Sequence, residues 1–63
     1  MTDDNLFWKI YDLLEEKGGM AENSIVTQIC ETTKCDKQRV SRLIQSGLKN
    51  MDLETAQGLI YAG

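Results

Sequence analysis

Five polar side chains recur at helical spacing between Lys37 and Gln45, and their chemistry is hydrogen bonding and positive charge. On a helix of residues 36–46, at 100° per residue, they share one arc about 140° wide. They are Lys37, Gln38, Ser41, Arg42 and Gln45. The opposite arc is apolar and consists of Val40, Leu43 and Ile44. The polar arc holds two cations, two amides and a hydroxyl but no acid. Such side chains can reach base edges and phosphates in a DNA major groove.

Other kinds of chemistry find little support in the sequence. The chain has no histidine, and its two cysteines, Cys30 and Cys35, lack the second pair that a zinc site of this type needs. No glycine-rich phosphate loop is present, and the carboxylates have no neighbours suited to acid–base work. We therefore expect a protein that is not an enzyme and that has no cofactor and no metal.

A second helix is predicted directly before the polar arc. Ile25, Val26, Ile29 and Cys30 fall on one face, and Asn23 or Ser24 can cap its start. Only Lys34 and Cys35 separate it from the next helix, for which Asp36 is the expected N-cap. So short a link predicts an angled helix pair, with Val40 buried in the corner between the two helices.

The block from Ile25 to Leu43 resembles the helix-turn-helix of the lambda repressor/Cro class of small phage and bacterial regulators. Lys34 stands where that class has its turn glycine. The tail from Ser46 to Ala56 is also similar, because in that class a Gly–basic–Asn loop leads into a helix that opens Leu-Glu-Thr. The resemblance implies a motif at 24–46 whose recognition helix, 36–46, lies in the major groove. It implies base contacts from the five arc residues. It also implies phosphate contacts from Ser24, Thr27, Gln28, Lys49 and Asn50.

The remaining segments complete a predicted all-α, four-helix, lambda-repressor-like domain over residues 1–63. A first helix from about Asp4 to Lys17 has a broad apolar face and ends at Gly18-Gly19. Gly47 is the expected stop of the recognition helix, and a last helix is predicted from Asp52 to Ala62. A winged helix, the alternative fold, needs a two-stranded wing after Leu48, where the sequence favours a helix.

The charge distribution favours two kinds of partner. The net charge is −3, yet residues 34–49 hold five bases and one acid, whereas residues 1–33 hold seven acids and two bases. The first hypothesis is a sequence-specific transcriptional regulator that binds double-stranded DNA in the cytoplasm, at the nucleoid. The alternative is a small acidic protein-binding module, an inhibitor or antirepressor, that meets its partner through Trp8 or the last helix. We also expect a homodimer, formed in solution or only on DNA, through Leu59, Ile60 and Tyr61. No segment is apolar enough to predict a membrane span.

Overall fold

The computed structural model describes residues 1–63, in which three helices are followed by an antiparallel β-hairpin. The helices are α1 (Asp3–Lys17), α2 (Glu22–Thr33) and α3 (Lys37–Lys49), and the strands are β1 (Leu53–Ala56) and β2 (Leu59–Ala62). The predicted four-helix, all-α domain is therefore wrong in its last quarter.

Helix α1 confirms the predicted first helix. The hydroxyl of Thr2 accepts a hydrogen bond from the Asn5 N–H at 3.2 Å, which caps the helix, and Gly18 ends it in the left-handed conformation. Leu6, Ile10 and Leu14 are buried. Burying a side chain of this size contributes about 1.5–3 kcal/mol relative to leaving it in water.

The two consecutive helices joined by a short link, α2 and α3, are also confirmed and pack against each other. Helix α2 ends at Thr33, Lys34 turns the chain with φ 60°, and Asp36 occupies the N-cap position of α3. Val40 is fully buried in the core that α2 and α3 share with α1. The predicted cap of α2 is wrong, because Ala21 takes the N-cap position and neither Asn23 nor Ser24 lies before the helix.

Gly47 does not stop α3. The helix continues to Lys49, and Gly47 lies inside it, buried against Phe7 of α1 and Leu53 of β1. A Cβ atom at this position would lie 2.8 Å from a carbon of each neighbour. The glycine is therefore required for close packing of three elements, and the shortage of space, rather than the backbone conformation, excludes a side chain.

The segment predicted as the last helix forms the hairpin. Gln57 and Gly58 both have positive φ, 55° and 81°, as a two-residue type I′ turn requires. Leu53 and Ile60 point into the core, each less than 5% exposed. Leu53, Ala56 and Ile60 have helical spacing, but the same residues also fit two short strands joined at Gln57-Gly58. The hairpin is more stable than a helix here because it buries Leu53 and Ile60 together. It also places Gly58 in a turn, whereas a helix would place it at an interior position.

The hairpin is attached to the rest of the molecule by the connector between α1 and α2. Met20 and Ile60 exchange two backbone hydrogen bonds, of 3.0 and 2.7 Å, and the Tyr61 ring packs against Gly19. Nine buried residues from all five elements form a single core. The hairpin follows Leu48, where the winged-helix alternative that the sequence disfavoured requires two strands.

The predicted dimer surface changes with the fold. Leu59, Ile60 and Tyr61 alternate along β2, so Ile60 is buried, Leu59 is 37% exposed and Tyr61 is half-buried. Alternation of successive side chains in a strand is the reason that these neighbours differ in exposure. No helical face exists there on which a second copy could pack.

Candidate nucleic-acid interface

The outward side of α3 carries a polar stripe of exposed side chains. Its members recur at i, i+4, i+7 and i+11, within about 60° of one another around the helix axis. They are Gln38, Arg42, Gln45 and Lys49. At about 1.5 Å per residue the helix is roughly 20 Å long, which suits insertion into a major groove. Lys37 is exposed in the first turn, beside this stripe.

The cationic side chains around α3 are of two kinds: one forms an ion pair within the chain, and the others have no carboxylate partner. Arg39 forms an ion pair with Asp3 at 2.8 Å and donates a second hydrogen bond to the Met1 carbonyl oxygen at 2.6 Å. It therefore ties α3 to the start of α1. Four other cations are exposed and have no carboxylate partner: Lys34, Lys37, Arg42 and Lys49.

Glu22 contacts the polar side of α3, which the sequence did not predict. One of its carboxylate oxygens accepts a hydrogen bond from the Ser41 hydroxyl, and the other accepts from the Gln45 amide, both at 2.9 Å. Two of the five predicted base-contacting side chains are thus held by an acid from the first turn of α2. The periodicity of α3 alone contains no signal for this contact, because it depends on how α2 crosses α3.

The amino end of α2 presents a second polar surface. Asn23, Ser24, Thr27 and Gln28 line a shallow depression of about 270 Å³ that contains no charged side chain. The structure thus brings together three of the predicted phosphate-contacting residues, Ser24, Thr27 and Gln28. No side chain caps this end of the helix. Its free N–H groups and the neighbouring hydroxyls are the donors that suit a phosphate.

The other two predicted phosphate contacts have different surroundings. Lys49 belongs to the last turn of α3 and lies on the polar stripe, although it was expected in a loop. Asn50 lines a depression with three carboxylates, those of Asp3, Asp4 and Asp52. Three acids around one amide disfavour a phosphate, so Asn50 lies apart from the surface formed by α2 and α3.

The hairpin carries no positive charge. Residues 50–63 contain no Lys or Arg, and their charged side chains are Asp52 and Glu54. A hairpin of this composition offers amide and backbone groups but no cation that could neutralise a phosphate. The four unpaired cations on α3 and in the turn before it are therefore the ones close to the polar stripe, and the two remaining lysines, Lys9 and Lys17, belong to α1.

Comparison with protein-family models, with curated proteins and with solved structures finds no match for this chain. The similarity to the lambda repressor/Cro class consequently rests on the motif residues, and its tail segment, Leu53-Glu54-Thr55, is a strand here rather than the start of a helix. None of the three helices is long and apolar enough to cross a lipid bilayer.

Proposed function

We propose that this chain binds double-stranded DNA as a sequence-specific transcriptional regulator, with α3 in the major groove. The observation that carries the proposal is the polar stripe on α3, which holds unpaired Arg42 and Lys49 and no acid. Arg42 and Gln38 read base edges, and Lys37 and Lys49 neutralise phosphates at the two ends of the helix. Ser24, Thr27 and Gln28 add uncharged phosphate contacts from α2.

Glu22 lowers the affinity of this interface for DNA and reduces the number of side chains that can read bases. Its carboxylate belongs to the first turn of α2 and accepts hydrogen bonds from Ser41 and Gln45 of α3, so it lies next to the polar stripe. In this geometry both side chains orient the helix pair and do not read bases. Phosphates near Glu22 are repelled, so the affinity for DNA is modest and depends on the four free cations.

Titration of a labelled random-sequence duplex, followed by fluorescence anisotropy, tests binding directly. If all four free cations contact phosphates, the slope of log K against log salt is about −3.6. Raising the salt from about 50 to 200 mM then weakens binding roughly 150-fold. Absence of binding at the lower salt concentration would overturn the proposal.

A selected duplex then tests the assignment of the reading side chains. Arg42→Ala and Gln38→Ala are each expected to weaken specific binding by about 1–3 kcal/mol while the circular dichroism stays helical. Lys17→Ala is the matched control for charge, because Lys17 is exposed at the end of α1 and lines none of the depressions that contain interface residues. If Lys17→Ala reduces the affinity as much as Arg42→Ala, only the overall charge matters and the assignment of α3 to the major groove is wrong.

A further inference from the structure

An aromatic and acidic groove lies on another side of the molecule. It is lined by Phe7, Trp8 and Tyr11 from α1, and by Met51 with the carboxylates Asp4 and Asp52. We call these six residues the aromatic–acidic groove. Its volume is about 330 Å³, and it shares no residue with the polar stripe of α3.

The three rings of the groove pack against one another and leave apolar surface in water. The Trp8 ring meets Tyr11 and Phe7 edge-on, with centroid distances of 5.3 and 5.9 Å. Trp8 nevertheless remains 56% exposed, and Met51 is 85% exposed. The Tyr11 hydroxyl donates to the Gly63 carbonyl oxygen at 2.7 Å, so this donor is already occupied within the chain.

Met51 has an unusual backbone conformation. Its φ of 66° is uncommon for a residue with a side chain, and it holds an apolar thioether in solvent at the edge of the rings. Exposed methionine is adaptable and packs well against the apolar parts of a partner.

The charge around the groove is negative and unpaired. A neighbouring depression, lined by Asp3 among others, shares Asp4, Phe7 and Asp52 with the groove, so the two adjoin. Asp3 forms an ion pair with Arg39, whereas Asp4 and Asp52 have no cationic partner. No Lys or Arg of the chain lines either depression. The groove therefore combines aromatic rings, a flexible apolar edge and two free carboxylates.

We propose that the aromatic–acidic groove binds an arginine side chain in a basic, extended segment of a partner protein. A guanidinium stacks on aromatic rings, forms hydrogen bonds with carboxylates and has an apolar stem that packs on Met51. DNA is repelled by the same carboxylates, so the groove and α3 serve different ligands. The inference is independent of the DNA-binding proposal, because no residue belongs to both surfaces.

The intact chain contains its own probe for this site. Trp8 is the only tryptophan, so its fluorescence reports on the groove alone. The ligand is the blocked pentapeptide acetyl-Gly-Leu-Arg-Leu-Gly-amide, and the matched control peptide carries citrulline, the neutral isostere of arginine. We expect a saturable shift of Trp8 emission to shorter wavelength with the arginine peptide, and at least tenfold weaker binding of the citrulline peptide.

Charge variants distinguish the effect of the two groove carboxylates on peptide binding from the effect of the net charge of the protein. The double variant Asp4→Asn, Asp52→Asn is expected to weaken binding of the arginine peptide at least tenfold. Asp12→Asn, Glu31→Gln is the control, because it changes the net charge equally and both residues are exposed outside the groove. Thermal melting by circular dichroism verifies that both double variants are folded.

Four results would overturn the proposal. The first is no emission shift up to millimolar arginine peptide with the parent chain. The second is equal binding of the citrulline peptide, which would make the groove merely apolar. The third is equal weakening by the control double variant. The fourth is an emission shift caused by raising the protein concentration alone, with a dimer in sedimentation, because a second copy would then be the occupant.

Discussion

The position of Gly47 allows a sharp test of the packing between α1, α3 and the hairpin. Gly47→Asn places a side chain where a Cβ atom already meets Phe7 and Leu53 at 2.8 Å. Overpacking costs about 1–3 kcal/mol, and an unpartnered buried amide costs about 1–3 kcal/mol more. The gain in helix propensity over glycine is less than about 1 kcal/mol. Because asparagine is a weak helix former and regains only roughly 0.3 kcal/mol over glycine, the net loss of unfolding free energy is about 2–6 kcal/mol.

Such a loss is a large part of the total stability of a small domain, which is about 5 kcal/mol at the lower end of the usual range. Each kcal/mol lowers the Tm of a chain of this size by roughly 4–8 °C. We therefore expect a melting temperature at least about 8 °C lower, or a chain already unfolded at room temperature. Thermal and urea unfolding, followed by circular dichroism at the helical minimum, measure both quantities.

Gly58→Asn is the matched control for this prediction. Gly58 has φ 81°, nothing lies within 4 Å of a Cβ placed there, and asparagine tolerates the left-handed conformation. We expect a loss of at most about 1 kcal/mol, from the left-handed conformation alone. If Gly47 instead ended its helix as the sequence pattern predicts, asparagine would be harmless at both glycines. Equal stability of the two variants would therefore refute the packing described here.

Three further predictions concern single side chains. Val40→Asp should unfold the chain, because an unpaired carboxylate in a fully buried position is very costly, and a cooperative melt close to that of the parent would contradict this. Glu22→Gln should raise the affinity for a random duplex about threefold to tenfold at low salt, since one negative charge next to the polar stripe of α3 is removed; an unchanged anisotropy titration would place Glu22 outside the interface. Thr2→Ala should cost about 1 kcal/mol of unfolding free energy in urea titrations, through loss of the cap on α1, whereas no change would mean that this end frays.

The sequence predicted those parts of the fold in which local pattern and tertiary packing agree. Helix α1 has a cap, an apolar face and a glycine stop, and Val40 lies opposite the polar arc of α3. The last segment failed because Leu53, Ala56 and Ile60 satisfy helical and strand patterns equally over so few residues. The deciding signals were Gln57-Gly58, which suits a two-residue turn, and the run Leu59-Ile60-Tyr61, which suits a strand.

The candidate interface was predictable only in part, because a local pattern does not contain the contacts between elements. Helical periodicity identified Gln38 and Arg42, since it depends on one helix alone. The contact of Glu22 with Ser41 and Gln45 depends on the angle between two helices, which no local pattern contains. Likewise, the ion pair of Arg39 with Asp3 joins residues 36 positions apart and removes one cation from the surface.

The paired hydrogen bonds between Met20 and Ile60 also constrain how the molecule opens. They close a loop of about 40 residues that contains both motif helices, and forming such a loop costs roughly 3 kcal/mol of chain entropy. The hairpin therefore gains this anchor only once α2 and α3 are packed. Conversely, breaking it frees the whole loop. The Met20 and Ile60 amides should exchange with deuterium only when the entire domain unfolds, whereas amides near Gln57 exchange by local opening.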